Sequence, residues 1–231
     1  NVTGVQTCAL PISNNTAIIV AAGSGSRLAS ETPKQYLKLK GVEILAYSVQ
    51  SFRSHPEIDE VIIVTSENFL EHVSNQHPEC KVVKGGETRQ DSVFNGLQAC
   101  SPDTHVILVH DAARPLIPSR VIDRCLASLE TYDGVAPALK PVDSMIQLED
   151  TGFKNLQRDN LRIIQTPQCF HIDILRSAHA SGKIDTDEMG LVKQSNAQAR
   201  LGFIEGAPET MKVTRQIDLD IIEKYLDTVE N

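Results

Sequence analysis

The sequence predicts an α/β protein, with a mostly parallel, twisted sheet, helices on both faces and a β-hairpin arm projecting from it. Three observations lead there. Short β-branched runs alternate with segments of helical spacing, no repeat, low-complexity tract or linker interrupts them, and one polar stretch late in the chain breaks the rhythm. Strand and helix in alternation imply βαβ units, whose crossover helices cover both sheet faces.

In order, the strand candidates are "AIIVA" from Ala17, "EVIIVT" from Glu60, "KVV" from Lys81, "HVILVH" from His105 and "GVAPAL" from Gly134. Between them "ILAYSVQSF", "NFLEHVSNQ", "RQDSVFNGLQA" and "VIDRCLASLE" place apolar residues at helical spacing. From Ser144 to Arg158 two strand-like runs flank Asp150-Thr151-Gly152, which reads as a hairpin. A hairpin this polar has little to bury alone, so it is expected to project and meet a partner subunit. The final stretch, from Met211, reads as a strand and then a helix with Ile221, Ile222, Tyr225, Leu226 and Val229 on one face.

The chain of 231 residues, 41% hydrophobic, is long enough for one sizeable core, and residues 14–231 are expected to form a single domain with the arm at about 140–163. Residues 1–13, "NVTGVQTCALPIS", lack an initiator methionine and a basic signal-peptide start. They look like the translation of a sequencing-library adapter, so the native N-terminus is expected to be missing. A formal charge of -8 argues against a nucleic-acid or anionic-membrane binder, and no apolar run approaches the roughly 20 residues of a span. Five scattered cysteines without a C-x-x-C pair suggest neither zinc nor a disulfide framework, and a reducing cytoplasm fits best.

The motifs sit where strands should end. In "IIVAAGSGSRLASETPKQYL" Gly23 and Gly25 could begin a dinucleotide fingerprint, but Leu28 occupies the third glycine position and no G-K-[ST] follows to make a P-loop. What remains is a loop able to turn backbone N–H groups toward phosphate, with Arg27 and Lys34 nearby; a plain glycine turn with two solvated cations reads equally well. "GGETRQDSV" opens a helix, and Thr88 with Asp91 satisfies a capping box without any ligand. "VILVHDAARP" ends a buried-type strand in Asp111, well placed for Mg²⁺ or for a structural pair with Arg114, while His110 reads as structural.

Together "AAGSGSR", "PKQYL", "GGETRQDSV", "HDAARP", "TPQCF", "TDE" and "KVTR" resemble, in order and spacing, the 2-C-methyl-D-erythritol 4-phosphate cytidylyltransferase family. The resemblance runs from about Thr16 onward. It implies a Rossmann-like nucleotidyltransferase fold and the joining of CTP to methylerythritol phosphate with release of pyrophosphate. It further implies that Ala21, Ala22, Gly23 and Gly25 lie along CTP and that Arg27 and Lys34 hold its phosphates. Gly85, Gly86, Glu87 and Ser92 would lie near base or ribose, Ala112 would line the nucleotide site, and Lys212 would reach the α-phosphate. Asp111 would serve Mg²⁺ and substrate, while Arg114, Ser144, Arg158 and Thr166 would bind the polyol phosphate, some of them from the arm of the second subunit of a homodimer.

Some positions depart from the family. Ser144 stands where many members have threonine, Glu87 where some have aspartate, and Ser26 where some have a second arginine. "TDE" at Thr186 to Glu188 also makes an ordinary helix start. Alternatives are a ribitol- or related polyol-phosphate cytidylyltransferase and, in another class, a nucleotide-binding regulatory protein without catalysis. The first shares the motifs; Arg27, Lys34, Asp111 and Lys212 argue against the second, as Leu28 does against a dehydrogenase.

Overall fold

The computed structural model describes residues 14–23 and 32–229. Its centre is β1 (Asn14–Ala21), paired in parallel with β4 (Glu60–Thr65) on one side and β6 (Thr104–Asp111) on the other. Between β1 and β4 come the two-residue strands β2 (Lys38–Leu39) and β3 (Val42–Glu43) and then helix α1 (Ile44–Arg53). After β4 follow α2 (Leu70–Gln76), β5 (Lys81–Lys84) and α3 (Arg89–Ala99). Each predicted strand up to β6, and each helix between, forms at or close to its expected place.

A strand flanked on both sides and covered on both faces must be apolar throughout. The period of two then divides its side chains between two cores. Ala17, Ile19 and Ala21 of β1 join Ile63 of β4 and Leu108 of β6 under Leu45, Val49 and Phe52 of α1. Ile18 joins Ile62, Val64, Ile107 and Val109 on the opposite face, under Val93 and Leu97 of α3. Burial of each such side chain favours folding by about 1.5–3 kcal/mol relative to exposure.

Beyond β6 the chain runs through α4 (Ser119–Ser128) to β7 (Gly134–Leu139), and then through the arm strands β8 (Ile146–Leu148) and β9 (Phe153–Asn155). It returns as β10 (Ile163–Ile164) and β11 (Gln168–His171), continues through α5 (Ile172–Ala180) and α6 (Glu188–Ser195) to β12 (Leu201–Glu205), and ends in α7 (Gln216–Val229). β11 inserts antiparallel between β6 and β7, and β12 pairs in parallel with the far side of β7. The sheet is therefore mostly parallel, interrupted by the reversed segment β10–β11.

Several local expectations change. β11 and β12 escaped the sequence reading because "QCFH" and "LGFIE" are short and carry polar residues or glycine; pairing with distant β6 and β7 supplies what local propensity lacks. Residues 211–214 form no strand: Val213 donates its N–H to the Ala113 carbonyl and accepts at its own carbonyl from Lys34 Nζ. On α7 the buried side chains are Leu219 and Ile222, packed with Leu39, Ile44 and Val213, whereas Ile221 faces outward at 38% exposed. The arm is a hairpin as expected, turning at Gly152 with φ 97°, but it is not polar: Ile146, Leu148 and Phe153 stand 48%, 78% and 61% exposed.

At Gly96 helix α3 lies close against the sheet. A Cβ there would stand 2.7 Å from Ile18 Cγ2 and 3.1 Å from Val64 Cγ2. Gly96→Val is expected to destabilise the protein by about 1–3 kcal/mol through overpacking, read as a lower urea midpoint.

Candidate active site

Parallel strands deliver their carboxyl ends to one edge, and a cleft of about 450 Å³ opens there beyond β1, β5 and β6. Ala21, Ala22 and Gly23 form one wall as the chain leaves β1; Gly86, Glu87, Thr88, Arg89 and Ser92 form another. Asp111 and Ala112 supply the floor, and Lys34, Gln35 and Lys212 close the remaining side.

The walls are braced from behind. Gln35, buried in a short 3-10 turn, donates from Nε2 to the carbonyls of Ala21 (2.6 Å) and Gly23 (2.9 Å). Gly85 packs directly on Ala22 and on Ser92, leaving no room for a Cβ. Ser92 Oγ accepts from the Gly86 N–H (3.1 Å) and donates to the Thr88 carbonyl (2.9 Å), so its hydroxyl hydrogen is already committed to the loop. The Thr88–Asp91 capping box forms reciprocally, starting α3.

Asp111 ends β6 with 8% of its surface exposed. Its Oδ1 accepts from Arg89 Nε at 3.1 Å, Oδ2 from Lys212 Nζ at 2.7 Å, and Arg114 Nε lies 3.7 Å from Oδ2. Burial alone would raise this carboxyl, yet Arg89, Lys212 and Arg114 together hold it well below the usual carboxylate range. Asp111 is thus an anion in a cationic surround.

The neighbouring His110 is fully buried and serves that geometry. Its Nε2 lies 3.0 Å from the Arg114 carbonyl, which can only accept, so Nε2 carries the proton and Nδ1 accepts from the Thr166 hydroxyl at 2.9 Å. Thr166 Oγ1 in turn accepts from the Asp111 N–H at 3.1 Å. Burial pushes the imidazole down to about 3, so it stays neutral, in keeping with a structural histidine.

The remaining predicted site residues are distributed unevenly. Arg114 and Thr166 lie against Asp111, the first by an ion pair at 3.7 Å and the second by accepting its N–H; Arg114 Nη1 also donates to the Thr210 carbonyl at 2.8 Å. Ser144 and Arg158 stand exposed on the arm, where Arg158 Nη1 donates to the Val142 carbonyl, and neither lines this chain's cleft. Gly25 and Arg27 fall outside the described residues. Lys34 Nζ donates to the Val213 carbonyl at 2.8 Å, joining the first loop to the segment that carries Lys212.

Sequence reading gave no role to Arg89 or Gln35, and named Glu188 only within "TDE", with no partner for it. Glu188, 1% exposed at the start of α6, takes both carboxylate oxygens to Arg89 Nη1 at 2.8 Å. Burial pushes its carboxyl up against the pull of the guanidinium, which the pair in turn keeps charged. The "TDE" signal was present, but it matched a plain helix start, and Asp187 does cap α6 through the Gly190 N–H at 2.8 Å.

Among the described residues no three His, Cys, Asp or Glu side chains gather to hold a metal by themselves. A Mg²⁺-type cation needs only one or two carboxylates and completes its shell with water and substrate phosphate. Ionised Asp111, on the cleft floor with further lone pairs on each oxygen, fits that requirement.

A Rossmann-like sheet with backbone turns, lysines and one ionised aspartate converging at its carboxyl edge defines a nucleotidyltransferase. The family model described as 2-C-methyl-D-erythritol 4-phosphate cytidylyltransferase matches residues 15–228, and the chain belongs to that family. A curated relative of that name from Clostridium botulinum (strain ATCC 19397 / Type A) is 37% identical over 94% of this chain and 99% of its own. Another from Pelotomaculum thermopropionicum is 33% identical over 91% and 93%. Among solved structures, 4-diphosphocytidyl-2C-methyl-D-erythritol synthase from Anaerococcus prevotii superposes with a TM-score of 0.84 at 25% identity, covering 94% of this chain and 97% of the other. The Thermus thermophilus cytidylyltransferase gives 0.76 at 26% identity, covering 91% and 98%. No helix among the described residues is long and apolar enough to cross a membrane.

His110 has a pH consequence. With a folded value of about 3 against an ordinary 6.5, the folded state binds fewer protons than the unfolded state between those limits. Its contribution is present above pH 6.5 and lost as pH falls toward 3, with a slope approaching about 1.4 kcal/mol per pH unit. Urea midpoints at pH 7, 6 and 5 should fall accordingly, with a shallower decline in His110→Gln.

Proposed function

We propose that the protein transfers the cytidylyl group of CTP to 2-C-methyl-D-erythritol 4-phosphate, giving 4-diphosphocytidyl-2-C-methyl-D-erythritol and pyrophosphate. The observation that carries this reading is the convergence of Lys34, Lys212 and Asp111 on a cleft walled by the Ala21–Gly23 backbone, in a chain of this family. A phosphate oxygen of the acceptor forms the new bond to the α-phosphorus, and the bond to the β-phosphate oxygen breaks, pyrophosphate leaving with that electron pair. Two anions must approach, so positioning and positive charge are the main requirements.

The acceptor phosphate is ionised at neutral pH and needs no general base, which is consistent with a neutral His110 that is buried away from the cleft. Lys34 and Lys212 hold the phosphate chain, joined on this reading by Arg27. Lys212 exchanges its Asp111 partner for phosphate oxygen as the nucleotide arrives. Asp111 would hold a Mg²⁺ ion, which would offset negative charge on the phosphate oxygens. Arg114 and Thr166, in contact with Asp111, bind the polyol phosphate on this reading, and a cytoplasmic setting suits the pathway chemistry.

Ser144 and Arg158 complete the polyol-phosphate site from the arm of a second copy. The exposed Ile146, Leu148 and Phe153 support that part of the reading, because an arm of this character needs a covering surface.

Two outcomes follow. Pyrophosphate release from CTP, Mg²⁺ and methylerythritol 4-phosphate should fall about 100- to 1000-fold in Lys34→Ala and Lys212→Ala. Faster release with ribitol 5-phosphate would overturn the acceptor assignment. By light scattering the protein should be a dimer, and the Leu148→Asp, Phe153→Asp double variant a folded monomer with little turnover. A monomeric parent protein with full activity would remove the shared-site account.

A further inference from the structure

The pair Arg89–Glu188 joins two helices 99 positions apart in sequence at the back of the cleft. A buried ion pair is a poor source of stability, since apolar residues of similar size often do as well. Its geometry points elsewhere. Glu188 is pinned on both sides, by the Asp187 cap on α6 and by the Met189 N–H donating to Gln168 Oε1 at 3.0 Å. Gly190 packs on Asp185 with no room for a Cβ, so the first turn of α6 has little freedom to shift. The immobilised carboxylate takes Nη1 of Arg89, which aims the guanidinium so that Nε meets Asp111 Oδ1 at 3.1 Å.

We propose that Arg89 and Glu188 are positioning residues for Asp111: Glu188 fixes the Arg89 fork and draws off part of its charge, so that Arg89 orients the aspartate without saturating it. Resting on the nucleotidyl-transfer reading, this deepens it. Two demands are in conflict at Asp111. The carboxylate must be held still, which needs a donor, and it must remain attractive to a divalent cation, which a fully committed guanidinium would oppose. An anion behind the guanidinium meets both. Lysine cannot replace Arg89, because one ammonium lacks the separate Nε and Nη donors that reach Asp111 and Glu188 together.

The test is calorimetric titration of CTP into the protein at stepped Mg²⁺ concentrations, with pyrophosphate-release kinetics alongside. Glu188→Gln and Arg89→Lys, each shown to fold by urea denaturation, should need about 10- to 100-fold more Mg²⁺ for half-maximal CTP binding. Their kcat should fall while KM for the polyol phosphate holds, and Glu188→Asp should recover part of the loss. Folded variants with the parent Mg²⁺ dependence, even if less stable, would overturn the proposal. Should Glu188→Gln not fold, Arg89→Lys decides the matter. If the parent protein binds CTP with Mg²⁺ but turns over no polyol phosphate, the activity reading fails while the Mg²⁺ comparison still decides the positioning role.

Discussion

The ionised state of Asp111 is the constraint on which the site depends. A carboxylate with 8% of its surface exposed is costly to charge, and the cost is met only because Arg89, Lys212 and Arg114 surround it. The three cations come from α3, from the loop before α7 and from the turn after β6. Each element must therefore dock correctly for any one of them to be useful, which couples the cleft to the packing of the whole molecule.

That docking starts in the sheet. Parallel pairing of β1 with β4 and β6 delivers Ala21 and Asp111 to the same edge, and Ala112 extends the pairing by donating to the Val20 carbonyl at 3.1 Å. The reversed segment β10–β11 then lies beside β6, bringing Thr166 against Asp111. His110 completes the base by linking Thr166 to the Arg114 carbonyl. Helix α7 acts from the other side. Its Leu219 and Ile222 bury Val213, and Val213, next to Lys212, is anchored by its N–H to the Ala113 carbonyl and by its own carbonyl to Lys34 Nζ.

The arm follows a different logic. Among the described residues its two short strands pair only with each other, and they leave Ile146, Leu148 and Phe153 exposed. An isolated two-stranded hairpin is marginal in water, so an arm of this kind gains its definition from what it packs against. On the proposed reading that surface is a second copy, and the same contact that orders the arm would complete the polyol-phosphate site.

The sequence by itself determined the alternating strands and helices through β7, the hairpin and the capping box at Thr88, because these depend on local periodicity and turn residues, while the cleft residues were named through the family resemblance of the motifs. Leu28 and the missing G-K-[ST] excluded the commoner glycine-loop folds by the same local argument. Only the tertiary structure decided that β11 and β12 are strands, that 211–214 is not, and that Ile221 faces outward, since each outcome hangs on a partner far away in the chain. It also decided that Arg89 and Glu188 meet and that Arg114 and Thr166 both contact Asp111. An ion pair spanning 99 positions has no periodicity to betray it; it exists because α3 and α6 pack on the same sheet face.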